Sequence, residues 1–177
     1  MFFIPGFIIS AITFPGVIVH EFAHQLFCYL MRVPIIQVCY FRFGNPAGFV
    51  RHEIPNNKWK QVLISVGPFF VNTILGFLIV FPVAIPAIKF HEGTPLEYLS
   101  IYLGVSIAMH AFPSRGDADS MWSSFKEGNS NFFEKALVMP ILGFIYLGSI
   151  GSMIWLDAIY GVGVTVGLSE LLIKMLA

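Results

Sequence analysis

The sequence predicts an all-α polytopic membrane protein of about five to six transmembrane helices, with a small membrane-associated β-hairpin or sheet after the first long helix. Three observations lead there. The chain is 56% hydrophobic and only 11% charged, where a soluble domain carries about 25% charged residues. Its apolar runs approach the ~20 residues a helix needs to cross a bilayer, and short polar stretches separate them. Between the first two runs the texture changes to β-branched and aromatic residues, which favour strands.

The first segment spans about Phe2 to Met31. Pro5-Gly6 and Pro15-Gly16 start, bend or break it, and a break at Pro15 turns five spans into six. Val17–Met31 is the part expected to be helical throughout. Val33–Phe43 and Phe49–Ile54 read as two strands around the turn cluster Gly44-Asn45-Pro46-Ala47-Gly48. The second span covers about Trp59 to Ile88, with Gly67-Pro68 and Asn72 inside it and Pro82 and Pro86 at its end. A polar loop from Lys89 to Pro95 leads to a third span, about Leu96 to Phe112. Ser114 opens a short amphipathic stretch that lasts to about Lys126, and Glu127–Asn131 is a polar turn. A fourth span covers about Lys135 to Leu156, and Asp157 marks a bend. In the last span, about Ala158 to Leu176, Gly161, Gly163 and Gly167 favour close helix packing. The chain reads as one transmembrane domain, 1–177, without repeats or a soluble domain.

Charge orients these spans. Of ten basic residues, nine (Arg32, Arg42, Arg51, Lys58, Lys60, Arg115, Lys126, Lys135 and Lys174) fall on one side of a five-span arrangement, and Lys89 falls on the other. The excess of basic residues in cytoplasmic loops then puts the N-terminus outside and the C-terminus in the cytoplasm. The N-terminal run has no basic leader, and its apolar stretch continues past His24, so it reads as retained rather than as a cleaved signal peptide. A prokaryotic cytoplasmic membrane is the expected location. The formal net charge of zero gives no sign of nucleic-acid binding. Cys28 and Cys39 form no CxxC pair and no disulfide framework.

The chemistry concentrates in His20-Glu21-Phe22-Ala23-His24. On a helix the two histidines lie one turn apart and share a face. Two imidazoles at that spacing hold one Zn²⁺, and Glu21 stands where it can take a proton from water. Ionisable groups inside an apolar helix are costly and mark function; the bland alternative is polar packing against another helix. The site expected from this motif lies in the cytoplasmic half of its helix. A catalytic zinc takes three protein ligands and leaves one position open. Asp117, Asp119, His110, His52 and Glu53 are the remaining candidates. Asp117 and Asp119 follow a Pro113-Ser114-Arg115-Gly116 break at a membrane boundary, where a carboxylate belongs in a cavity or facing water. Aspartate also caps helices, so one of the pair is expected to cap and the other to ligate. Cys28 lies about 12 Å along the helix from His20, too far to share an ion with both histidines, and reads as a small buried apolar residue.

The HExxH residues, Gly67-Pro68-Phe69-Phe70-Val71-Asn72 on the next span, and His110-Ala111-Phe112-Pro113-Ser114-Arg115-Gly116-Asp117 after a third resemble the site-2 protease family of intramembrane zinc metalloproteases. The resemblance covers about 17–121 and is that of a divergent, membrane-zincin branch, with the C-terminal helices at 135–176 outside it. The HExxH match is complete. Asn72 comes one residue later than in the family's Gly-Pro-x-x-Asn motif. His110 stands where the family has Asn, and no Asp-Gly occurs. The family's ligand aspartate falls between Asp117 and Asp119 by spacing from Pro113. Asp117 directly follows Gly116 and is the expected third ligand, with Asp119 the alternative.

The resemblance implies a zinc-dependent endopeptidase that cuts a peptide bond within or next to the membrane. His20, His24 and Asp117 would hold Zn²⁺, and Glu21 would be the general base. His110 or Asn72 would donate a hydrogen bond to the oxyanion. The substrate would be a membrane protein or peptide, bound as an extended strand near 33–54. A non-catalytic scaffold or pseudoprotease that keeps the fold and metal site is the alternative, and an intact Glu21 argues against it. A metal transporter would place ligands on several spans and often show repeats.

Overall fold

The computed structural model describes residues 6–90, 92–127 and 130–176. The Phe2–Pro5 start of the first expected segment, His91 of the polar loop, and Gly128-Asn129 of the polar turn lie outside the described residues. The described residues are mostly helical, with one two-stranded sheet.

The first expected segment is two helices, α1 (Gly6–Ile12) and α2 (Phe14–Met31), which meet at 89°. Proline at the second position of α2 needs no hydrogen-bond donor there, so it starts the helix without cost. The Gly16 N–H donates to Ser106 Oγ at 3.1 Å, and Ser106 Oγ donates to Thr13 O at 3.0 Å. A Cβ on Gly16 would overlap the Ser106 carbonyl, so only glycine lets α2 start this close to the third-span backbone. Arg32 ends α2 in the left-handed conformation, φ 55°, and its N–H bonds back to the last turn.

The expected strands shorten to β1 (Ile35–Cys39) and β2 (Phe49–His52), paired antiparallel with Val38 opposite Val50 and Cys39 opposite Phe49. Helix α3 (Lys58–Val80) begins at Asn57, whose side chain accepts from the Trp59 N–H at 2.8 Å. It runs through Pro68. Pro82 and Pro86 then tighten and widen the chain into a 3₁₀ turn, Phe81–Val83, and a π turn, Ile85–Lys89. Helix α4 (Pro95–Met109) starts from a capping box between Thr94 and Glu97. The amphipathic stretch is α5 (Arg115–Glu127). Helix α6 (Phe132–Gly151) starts from a second capping box, Asn131 with Glu134, and Lys58 Nζ lies 2.7 Å from Glu134 Oε2, tying its start to that of α3. The next bend falls at Trp155, φ 64°, two residues before the expected Asp157. Beyond it come α7 (Leu156–Val162), a π turn (Gly163–Gly167) and α8 (Leu168–Leu176). Of the three glycines expected to allow close packing, Gly161 meets Met109 of α4, whereas Gly163 faces open space and Gly167 meets nothing closer than 4.0 Å.

Among the described residues, three helical stretches are long and apolar enough to cross a membrane: Lys58–Val83, Phe132–Gly151 and Leu156–Met175. Helices α1 and α2 qualify only as a bent pair, and α4 is shorter. Burial is inverted relative to a soluble protein. Leu137, Leu147, Ile159 and Met175 are exposed on the outside, while His20, Glu21, His24, Gln61, Asn72 and Ser106 are buried inside. An apolar exterior of this kind suits lipid rather than water.

Candidate metal centre

Helix α2 presents His20 and His24 one turn apart, both buried, toward α3 and α5. Their Nε2 atoms lie 3.1 Å apart, and Asp117 Oδ1 lies 3.3 Å from His24 Nε2. One ligand atom from each of the three residues falls within 4.8 Å of the other two.

Each imidazole is oriented from behind. His20 Nδ1 donates to the His110 carbonyl at 2.7 Å, and His24 Nδ1 donates to the Ile64 carbonyl at 2.9 Å. A carbonyl only accepts, so these bonds assign the proton to Nδ1 in both rings and leave both Nε2 lone pairs facing the cluster. Backbone carbonyls in this role are the usual outer support of metal-binding histidines.

Asp117 is held as firmly. It is the third residue of α5, and Ser114 precedes the helix. The Ser114 N–H and hydroxyl both donate to Asp117 Oδ2 at 2.7 Å, and the Asp117 N–H donates to Ser114 Oγ at 3.3 Å. Ser65 of α3 donates to the Asp117 carbonyl at 3.2 Å. Burial disfavours the charged Asp117 carboxylate, and the hydrogen bond from the Ser114 hydroxyl favours it.

The two aspartates that follow the 113–116 break are placed differently from the expected split of one capping and one ligating residue. Both positions fall to one carboxylate: Asp117 Oδ2 accepts from Ser114 at the start of α5, and Oδ1 faces His24. Asp119 lies outside the cluster, exposed, and accepts from the Tyr146 hydroxyl of α6 at 2.7 Å. His52 also lies elsewhere, with Nδ1 donating to the Glu53 carbonyl at 2.7 Å. Cys28 is buried against Val33 and Ile64, as a small apolar residue.

The donor set fits a small divalent cation. At the tetrahedral angle, ligand atoms about 2.0–2.1 Å from zinc lie about 3.3–3.4 Å apart, close to the two short separations seen here. With both Nδ1 protons committed, one proton at most can sit between the two Nε2 atoms, whereas a cation satisfies both lone pairs and the carboxylate together. Two histidines and one carboxylate are also a ligand set that zinc hydrolases use.

Glu21 is 7% exposed. The hairpin's turn lies on it. A Cβ placed on Gly48 would stand 2.6 Å from Glu21 Cγ and 3.0 Å from Glu21 Oε1. Tyr40, at the other end of that turn, donates to Gln25 Oε1, one helical turn beyond Glu21.

The two residues expected to contact an oxyanion are occupied otherwise. His110 Nδ1 bonds the Ser106 carbonyl at 3.0 Å, and its Nε2 lies 3.5 Å from Thr13 Oγ1. Asn72 is fully buried, and its amide nitrogen faces the carbonyls of Gly16, Ile107 and His110 at 3.4, 3.1 and 3.2 Å. Neither side chain is free to reach a substrate in this arrangement. Ser114 could have been found from the Ser-x-x-Asp spacing of a capping box. The Ile64 and His110 carbonyls and the Gly48 contact carry no side-chain signal.

The chain matches no protein-family model, no curated protein and no solved structure.

Proposed function

We propose that this chain is a membrane-embedded zinc endopeptidase resembling the site-2 protease family, which hydrolyses a peptide bond within or next to the bilayer. The observation that carries the reading is the convergence of His20 Nε2, His24 Nε2 and Asp117 Oδ1, with both imidazoles oriented by backbone carbonyls, directly beside Glu21. Bound by these three residues, zinc would supply a Lewis acid that brings the pKa of a water toward about 7. Glu21 takes the proton of the attacking water on its carboxylate and returns it to the leaving amine. Burial of Glu21 beneath the hairpin turn keeps bulk water from competing for that proton.

The substrate is a membrane protein or peptide held extended along an edge of the β1–β2 hairpin. The Gly48 contact supports this, because it brings the hairpin against the general base. In the membrane, the bent α1–α2 pair, α3, α4, α6 and the Leu156–Met175 stretch make five crossings, with the N-terminus outside and the site toward a prokaryotic cytoplasm. The fifteen residues of α4 reach about 22 Å, less than a ~30 Å hydrocarbon core. The break at 110–114 would then lie within the membrane boundary, where irregular backbone belongs beside a polar cavity.

The test is zinc stoichiometry and cleavage of a transmembrane substrate in detergent, wild type beside Glu21→Gln. The expected result is about one zinc per chain in both proteins, with cleavage at least 10²-fold lower in the variant. Wild type without zinc, or equal cleavage by both proteins, would overturn the proposal.

A further inference from the structure

We infer that Asn72 is a positioning residue for the metal centre, acting on His20 through the His110 carbonyl. The inference rests on the zinc reading above and deepens it. His20 Nδ1 is fixed by one acceptor, the His110 carbonyl at 2.7 Å. That carbonyl belongs to a residue just past the end of α4, where no further helical turn holds it. Asn72 of α3 supplies the missing restraint. Its amide donates to the His110 carbonyl at 3.2 Å and to the Ile107 carbonyl at 3.1 Å, one turn earlier, with Gly16 O of α2 at 3.4 Å. A single side chain thus registers α2, α3 and the frayed end of α4 at the level of His20.

The orientation of the amide is settled by its surroundings, since the opposite flip would point an oxygen at three carbonyls. Among the described residues Asn72 Oδ1 is buried without a hydrogen-bond partner. A residue selected only to fill space between apolar helices would not carry that orphaned oxygen. The side chain is kept for its two N–H donors, and a carbonyl that accepts from both Asn72 and His20 is where those donors matter.

The experiment measures zinc affinity by competition with a chromophoric chelator, together with the ligand-field spectrum of the Co²⁺-substituted protein. The variants are Asn72→Ala and, should that fail to fold, the isosteric Asn72→Asp. Thr73→Val is the control: it removes the 2.7 Å hydrogen bond to the Tyr160 hydroxyl, a helix-to-helix bond one residue away that touches no ligand. Loss of an outer-shell partner typically costs about 10–100-fold in metal affinity. Asn72 variants are expected to show a loss of that size and an altered Co²⁺ spectrum, with Thr73→Val unchanged in both. Zinc-loaded wild type and Asn72 variants of equal affinity and spectrum would overturn this inference alone. Equal losses in Thr73→Val would also overturn it, because they would mean general loosening. Wild type that takes up no zinc would overturn the metal reading and this inference with it.

Discussion

Helices α2, α3 and α4 bury His20, His24, Asn72 and Ser106 among themselves, whereas α5 and α6 bury Met121, Phe125, Val138, Leu142 and Ile145 against Val62 of α3. The two interiors obey different rules. Apolar side chains need no hydrogen-bond partner, so the second interior is held by packing and van der Waals contact. Polar groups in an apolar surrounding must be paired, each lost partner costing about 1–3 kcal/mol. In the first interior nearly every buried polar atom is paired, and Asn72 Oδ1 is the exception among the described residues. The chemistry proposed above falls in the costly, carefully paired interior. Asp117 joins the two: it starts α5, the helix of the apolar cluster, and reaches into the polar one.

The largest effect is expected at the Asp117 junction. Asp117→Ala should abolish stoichiometric zinc uptake and cleavage together, while Asp119→Ala leaves both intact and loses only its Tyr146 bond; metal analysis of the two purified proteins decides. Uptake lost in Asp119→Ala instead would reassign the ligand.

A subtler change tests the hairpin's place in the polar interior. Gly48→Ala puts a methyl group into the space of Glu21 Cγ. Displacing a catalytic group by about 1 Å costs on the order of 10²-fold. Cleavage should fall by about that factor with zinc content unchanged, as read by kcat/KM beside metal analysis. Unchanged kcat/KM would mean that the turn simply moves aside.

The least effect on the site is expected from the apolar side. Phe125 is fully buried and packs edge-on against Trp59, ring centroids 5.1 Å apart. Phe125→Ala should destabilise the fold by about 3 kcal/mol, visible as a lower Tm in detergent, with zinc affinity per folded molecule unchanged. Reduced affinity in folded protein would show that the two interiors are coupled.

Much of this was legible in residue order. The HExxH spacing puts His20 and His24 on one helix face whatever surrounds them, because 3.6 residues per turn requires it. The apolar composition requires helices with apolar exteriors, and β-branched residues around a Gly-Asn-Pro turn require the hairpin. The number of membrane-crossing helices was less legible. Hydropathy does not register the 89° bend at Thr13 or the short length of α4.

The third member of the cluster was decided by tertiary structure. Two residues apart on a helix, Asp117 and Asp119 point about 200° away from each other. Nothing local says which one faces α2; the docking of α5 against α3 and α6 turns one to His24 and the other to Tyr146. The acceptors that orient the imidazoles were equally hidden. Ile64 and His110 act through backbone carbonyls, which every residue has, so only the packing of α2 against α3 and α4 selects them.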